Sequence, residues 1–570
     1  MILISSCFIL LINAVTSRQD KYLSYNRITS LILLYSIFLA FNSLDIICLG
    51  TGIGIYGGLF LITSIRQNFV VFILILSFFI LQLISFHNRD FKYLKKPLIK
   101  QISDNIEKTE RNAIIDLSGI IDFPTIILFI LVGAVCLMSC CDLITMFLCL
   151  ELQSYGLYIL SSIYRNSELA IGAALTYFLL GGLSSCFILL GSALFYVNTG
   201  ITFIEGIYAL YSSTDVMLIQ SQDWILNLFE NQVKEEWIKT NEVNPIESFD
   251  ISLIILSIGY LFKVSSAPFH FWSPDVYDSL PTLVTTFVAI MAKISIFIFM
   301  LDLVHFSSEA KTEFFWTDIL LISSFLSLII GTVVGLVQTR IKRLFAYSTI
   351  SHVGFILLAL TINTLESIQA FIFYLMQYSL SNLNFFFILL SMGYYLWYYH
   401  SYYLLKDQLN SPLQLIIQVK GFFYKNYMLS LCLAITLLSF AGIPPLLGFF
   451  GKQMVLSAAL DKGFYFMVLI AIITSVIGTS YYLAVIKLVF FSENNDIIKE
   501  HYNETINTWN WNYIKSELIK TKIIKKKIRL LSTSLSLMIS CLTLIILLFI
   551  IKPDPWLSSV KILTIMLFNS

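Results

Sequence analysis

Four charged side chains stand inside stretches that are otherwise apolar: Glu151, Lys263, Lys293 and Lys452. A charge at bilayer depth costs roughly 2.5–3.5 kcal/mol on insertion scales, so such residues are usually functional. Glu151 is the only charge between Leu143 and Tyr164, and Lys263 follows about a dozen largely apolar residues. At 1.5 Å per residue that run rises ~18 Å, close to a bilayer midplane. Lys293 is equally deep, and none of the three can snorkel to an end. Burial opposes an ammonium and a nearby carboxylate supports it, so a modest local change can release its proton. That chemistry is a proton path. The competing reading is a fixed ion pair that holds a bundle together. Lys452 follows the uncharged stretch 426–451, so from the residues alone it is either part of the path or a helix-end lysine.

Prolines fall beside two of these lysines. The runs Lys263-Val-Ser-Ser-Ala-Pro268-Phe-His270 and Gly442-Ile-Pro444-Pro445-Leu-Leu-Gly448 cannot continue a regular helix, because proline removes a donor and clashes with the preceding turn. Within a membrane, the freed carbonyls are tolerated only where protein or water satisfies them, and interrupted helices mark ion or substrate sites. His270 and His352 are candidate relays, since imidazole titrates closest to neutrality; the alternative is a satisfied bundle histidine. Asp142 and Asp302 lie near the ends of apolar stretches, where solvation or capping would account for them.

The elements that position these residues are membrane spans of about 20 apolar residues each. Fourteen are expected, near 2–16, 29–43, 68–86, 122–140, 142–163, 169–198, 249–270, 281–304, 315–338, 344–363, 367–397, 427–450, 464–490 and 531–551. Residues 1–16 have no basic start or cleavage site and read as a retained helix. Odd-numbered connections hold 25 lysines and arginines, against seven in the even-numbered ones and the C-terminus. That asymmetry places the odd loops on the cytosol-like or matrix side and both termini on the other. The breaks fall in the seventh and twelfth spans. An offset of five, being odd, predicts two inverted five-helix repeats, spans 4–8 and 9–13.

The expected organisation is an N-terminal three-helix segment (1–121), a first repeat with an acidic loop at 199–248 (122–304), a second repeat (305–490), and a basic segment with a C-terminal helix (491–570). The run Lys525, Lys526, Lys527 suits either a solvated topology anchor or docking on a partner or anionic lipid. Tyr394–Tyr403, with seven aromatic residues, reads as an interfacial belt.

Composition agrees with an all-α polytopic membrane protein: 58% hydrophobic, 12% charged, mean hydropathy +0.83. A net charge of +1 points to no nucleic acid. The nine cysteines all have apolar surroundings and show no metal or iron–sulfur spacing; Cys136 and Cys140 share a helix face but read as small bundle residues. No glycine-rich phosphate loop indicates a nucleotide or flavin.

Four stretches carry a resemblance: Asp142-Leu-Ile-Thr-Met-Phe-Leu-Cys-Leu-Glu151, the run from Phe262 through Pro268, His270, Pro274, Asp275 and Asp278 to Thr282, Arg340-Ile-Lys342-Arg343-Leu-Phe-Ala-Tyr-Ser, and Leu438-Ser-Phe-Ala-Gly442 through Pro444 and Pro445 to Lys452. Together they closely resemble the subunit 2 family of NADH dehydrogenase, respiratory complex I, over roughly 120–490. The fourteen-span count suits its form with three extra N-terminal helices. Ser279 departs from the small residue, such as Gly, usual there, and 199–248 matches no motif of the family.

The resemblance implies that Glu151 pairs with Lys263, that Lys293 is the central relay, and that Lys452 is the terminal element of a proton path. It further implies membrane-arm subunits of complex I as partners, and no redox cofactor or metal in this chain. NADH, FMN, iron–sulfur clusters and ubiquinone would bind other subunits. The expected activity is proton translocation coupled to NADH:ubiquinone electron transfer. A subunit of a multisubunit sodium/proton antiporter is the alternative; a scaffold that lost pumping is disfavoured because all four charges are present. Richness in Phe, Tyr, Ile, Asn and Lys and the lack of an Arg-rich presequence suit a mitochondrial inner membrane, with a bacterial plasma membrane second.

Overall fold

Backbone inside a bilayer must pair its own N–H and C=O groups, and runs of Leu, Ile, Phe and Val do so as helices. The computed structural model describes residues 1–15, 21–46, 49, 52–98, 123–164, 167–207, 245–307, 316–399, 411, 413–492 and 533–569, and most of them are helical. In chain order the helices are α1 (Ile2–Val15), α2 (Lys21–Asn42), α3 (Ser64–Leu98), α4 (Phe123–Ser139), α5 (Leu143–Ser162), α6 (Glu168–Thr199), α7 (Pro245–Val264), α8 (Trp272–Ser279), α9 (Thr282–Ser307), α10 (Trp316–Gly335), α11 (Ile341–Ile362), α12 (Leu365–Tyr399), α13 (Tyr427–Ala441), α14 (Leu447–Asp461), α15 (Tyr465–Phe490), α16 (Thr533–Leu548) and α17 (Asp554–Asn569). Among the described residues, ten helical segments are long and apolar enough to cross a membrane, and three shorter apolar ones accompany them.

Two features were not expected. A hairpin of β1 (Ile53–Ile55) and β2 (Phe60–Ile62) precedes α3, its turn taking positive φ at Tyr56, Gly57 and Gly58. It docks on the α4–α5 junction, where the Cys141 amide donates to the Leu59 carbonyl at 3.0 Å. Beyond Pro553, α17 adds a helix that packs on α12 and α3. Cys140 also lies beyond the end of α4 at Ser139, so it does not share a helix face with Cys136.

Helix α9 is buried except at His305 and Phe306, and α11 and α12 are nearly as enclosed. In contrast α6 and α15 turn Leu175, Leu179, Leu183, Leu469 and Val476 outward, as lipid-facing helices do. Small residues let the inner helices approach closely. A Cβ on Gly133 of α4 would lie 2.8 Å from the Gln153 amide nitrogen of α5, and one on Gly331 of α10 would lie 2.6 Å from that of Ser351 on α11. The same two positions therefore recur, in the same register, in the α4–α5 and α10–α11 pairs.

Most of the acidic loop (208–244), the basic segment (493–532, with Lys525, Lys526 and Lys527) and the end of the aromatic belt (400–403) lie outside the described residues. The belt's first part continues α12, and Tyr395 donates to the Lys425 carbonyl at 2.9 Å.

Candidate functional site

The two proline-marked runs are breaks between half-helices, and their geometry corresponds step for step. Helix α7 ends one residue after Lys263; Ser265 takes φ +65°, its amide donates to the Phe262 carbonyl at 3.2 Å, and the Ser266 amide to Leu261 at 3.1 Å. Helix α13 ends at Ala441; Gly442 takes φ +82°, its amide donates to Ser439 at 3.1 Å, and the Ile443 amide to Leu438 at 3.2 Å. A cis proline follows three residues later in each case, at Pro268 and Pro445. Glycine adopts the left-handed conformation at no steric cost, whereas Ser265 adopts it with a Cβ.

The breaks differ in what satisfies the freed carbonyls. At the first, Trp272, the opening residue of α8, donates its indole N–H to the Phe262 carbonyl at 2.9 Å, and Ser266 Oγ donates to Leu261 at 3.1 Å. At the second, Lys452 Nζ donates to the Phe440 and Ala441 carbonyls, each at 2.9 Å. The ammonium thus sits at the C-terminal end of α13, where the helix dipole is negative, with the Phe355 ring centre 5.6 Å away. Lys452 itself lies within α14 while its ammonium closes the end of α13, so the helix-end reading stands beside the path reading.

Lys263 Nζ donates to Glu151 Oε1 at 3.3 Å, with side chains only 8% and 14% exposed. A narrow, partly open cleft lies beside Lys263, lined by residues that include Gln153, Tyr158, Tyr177 and Trp272. From there Ser295 of α9 donates to Gln153 Oε1 at 3.0 Å, reaching the helix that carries Lys293. Lys293, 2% exposed, has no carboxylate partner among the described residues. Its Nζ donates to Thr349 Oγ1 at 3.4 Å and lies 5.9 Å from the centre of the Tyr277 ring.

One turn beyond Thr349 on α11, His352 is buried between two tyrosines. Its Nδ1 is 2.8 Å from the Tyr374 hydroxyl and its Nε2 is 3.3 Å from that of Tyr482. His270, in the linker between α7 and α8, packs on Phe271 and Tyr347; its Nδ1 has no hydrogen-bond partner among the described residues. His352 is therefore built into the polar interior, while His270 makes no bond to any of the four charged residues.

Sequence reasoning missed several polar residues. Thr349, Tyr374 and Tyr482 look ordinary in a helix until the fold turns them inward. Gln377 Oε1 and both amide atoms of Asn384 are buried on α12 without partners among the described residues, and their signal was available: Gln377-Tyr-Ser-Leu-Ser-Asn-Leu-Asn384 interrupts an apolar span. Asp142 does cap, accepting from the Thr145 amide at 3.2 Å. Asp302 does not: it is buried and paired with Arg66 Nη2 and Nε, both at 2.9 Å. Arg66, counted as a loop charge, belongs to α3, and Lys342, likewise counted, is buried at the start of α11. Only tertiary packing of α3 on α9 and of α11 on α8 brings those partners together. Among the described residues no cluster of His, Cys, Asp and Glu has the geometry of a metal site.

Fold and site together define a polytopic helical membrane protein with two interrupted helices arranged around buried charges. The chain belongs to the NADH:quinone oxidoreductase/Mrp antiporter transmembrane family, which matches residues 140–478. It is 44% identical over 578 aligned residues to NADH-ubiquinone oxidoreductase chain 2 of Rhizopus oryzae, covering 100% of both chains. Its structure matches a chain of respiratory complex I from Thermus thermophilus with a TM-score of 0.62 and 25% identity, covering 86% of this chain and 90% of that one. A chain of the Mrp complex from a Dietzia species shares the fold, with a TM-score of 0.64 at 16% identity over 86% of this chain and 79% of that one. The resemblance carried by the four motifs thus extends along the whole chain.

Proposed function

We propose that this chain is the proton-translocating, antiporter-like membrane-arm subunit of respiratory complex I, working in a mitochondrial inner membrane. The observation that carries the reading is the Glu151–Lys263 pair, set at a helix break and beside a cleft. The path runs from that pair through Lys293 and Thr349 to His352, and ends at Lys452 on the second break. Buried Gln153, Gln377 and Asn384 offer further donors and acceptors along it. Glu151, Lys263, Lys293 and Lys452 carry the charge and His352 relays; His270 has the weaker claim because its Nδ1 meets no hydrogen-bond partner among the described residues, whereas His352 is held by two tyrosine hydroxyls.

In this reading NADH, FMN, iron–sulfur clusters and ubiquinone are bound by other subunits, and reduction of ubiquinone by NADH there drives rearrangement of the buried charges here. Neighbouring membrane-arm subunits are the partners. The chain then has fourteen spans and two inverted repeats, spans 4–8 and 9–13, flanked by the 1–121 and 491–570 segments. Support for the repeats comes from the shared hydrogen-bond pattern of the two breaks and from the matching close helix approaches at Gly133 and Gly331.

The test is a native gel of gently solubilised membranes, stained for NADH oxidation, with this chain located by mass spectrometry. Co-migration with a very large NADH-oxidising assembly is the expected result. A smaller assembly without that activity, together with sodium-dependent proton flux, would replace the reading with the multisubunit antiporter.

A further inference from the structure

Five charged groups cluster where α8 meets the start of α11, and the proton path uses none of them. Arg340 Nη1 bonds to Asp278 Oδ2 at 2.5 Å; Arg343 bonds to Asp275 through Nη2 and approaches Asp278 at 3.5 Å through Nε. Lys342 is buried, and its Nζ donates at 2.6 Å both to the Leu280 carbonyl, at the C-terminal end of α8, and to Ser411 Oγ. Three cations at the start of α11, Arg340 capping it and Lys342 and Arg343 in its first turn, thus grip two carboxylates of α8 and the Leu280 carbonyl just past its end. The same stretch of backbone is fastened on its other side, where the Ile341 amide donates to Gln414 at 3.0 Å and the Ile416 amide to Thr339 at 3.1 Å.

What each helix carries makes this junction consequential. Helix α8 opens with Trp272, whose indole N–H holds the Phe262 carbonyl beside Lys263. Helix α11 carries Thr349, which holds Lys293, and His352. A shift of α8 against α11 would therefore move the break next to the first lysine relative to the partners of the second. Asp278 is 6% exposed and Arg340 and Arg343 are 44% and 41% exposed, so the acid is fixed in the wall and the cations close over it. The remaining ion pairs among the described residues, Arg66–Asp302 and Lys263–Glu151, do not link α8 to α11.

We infer that Arg340, Lys342 and Arg343, gripping Asp275, Asp278 and the Leu280 carbonyl, are positioning residues that tie the Lys263 break to the helix partnering Lys293. The clamp transmits movement between the two parts of the path, and it touches no proton-carrying group itself. This inference rests on the proton-path reading proposed above.

The test replaces the two partly exposed cations, as R340Q/R343Q, in the assembled complex within proteoliposomes, and reads protons moved per NADH oxidised beside the NADH oxidation rate. The expected result is an oxidation rate near that of the parent complex and a proton ratio lowered roughly twofold or more, the lower end of coupling carried by packed networks. R340K/R343K, which keeps the charges, should restore the ratio. An unchanged ratio in R340Q/R343Q, or an equal loss in R340K/R343K, overturns the inference. Should R340Q/R343Q fail to assemble, D275N removes only the exposed acid and leaves Asp278 in place; an unchanged ratio there overturns the inference equally. Lys263→Met is run alongside. If it pumps normally, the proton-path reading fails; if it is defective while the clamp variants pump normally, only the clamp fails.

Discussion

Removing either member of the Glu151–Lys263 pair separates a path residue from a structural ion pair. At 3.3 Å and an effective dielectric of 20, two unit charges attract by about 5 kcal/mol. Both side chains are largely hidden from solvent, so salt screens this little. Much of the attraction offsets the cost of taking both charges out of water. Deleting one partner strands the other, at a cost of about 3–5 kcal/mol. Removing both leaves no stranded charge, and a neutral replacement of similar shape is often nearly free.

Lys263→Met and Glu151→Gln should each destabilise by about 3–5 kcal/mol, while the double variant returns to within about 1 kcal/mol of the parent. Stability is read as the temperature at which the NADH-oxidising assembly dissociates on native gels. Proton movement, read in proteoliposomes as acidification per NADH oxidised, should be lost in all three variants. The two readouts must therefore part company in the double variant, stable but inactive. A double variant that pumps at the parent rate would refute the proton role. Additive destabilisation would refute the pairing.

Three further outcomes are expected. In the Arg66–Asp302 pair between α3 and α9, Arg66→Leu alone should cost about 3–5 kcal/mol, and Arg66→Leu with Asp302→Leu about 1 kcal/mol or less, as measured by thermal dissociation of the complex. Gly442→Ala forces a Cβ into a left-handed residue and to within 2.9 Å of Lys452 Cδ; proton movement per NADH should fall, with a loss of stability of about 1–3 kcal/mol. Trp272→Phe leaves the buried Phe262 carbonyl with one donor fewer, so it should destabilise by about 1–3 kcal/mol in the same thermal assay.

Helical class, the position of each break and the four charges inside apolar runs were legible in the residues themselves. The reason is that the bilayer imposes a local rule: apolar runs must be helical, and proline or a charge within one is visible without knowing any neighbour. The ends of α1, α5, α6 and α15 fall close to the expected bounds because the apolar run simply stops there. Helix α17 escaped notice because Lys561 and Asp554 dilute a short run whose apolar face is defined only by α3 and α12.

Partners were a different matter, because a partner is a property of packing. Nothing near Asp302 in the chain announces Arg66, and nothing near Lys293 announces Thr349. Lys342 reads as one more basic loop residue until α11 seats it on the Leu280 carbonyl. Lys452 was undecided in sequence because its anchor is the open end of α13 rather than a carboxylate; only the fold sets free the carbonyls of Phe440 and Ala441 and brings the ammonium within 2.9 Å of both. Sequence by itself determined where the helices run, where they break and which charges fall inside apolar runs, since run length and proline position are local. Tertiary structure decided what each buried group faces, since every such contact joins residues far apart in the chain.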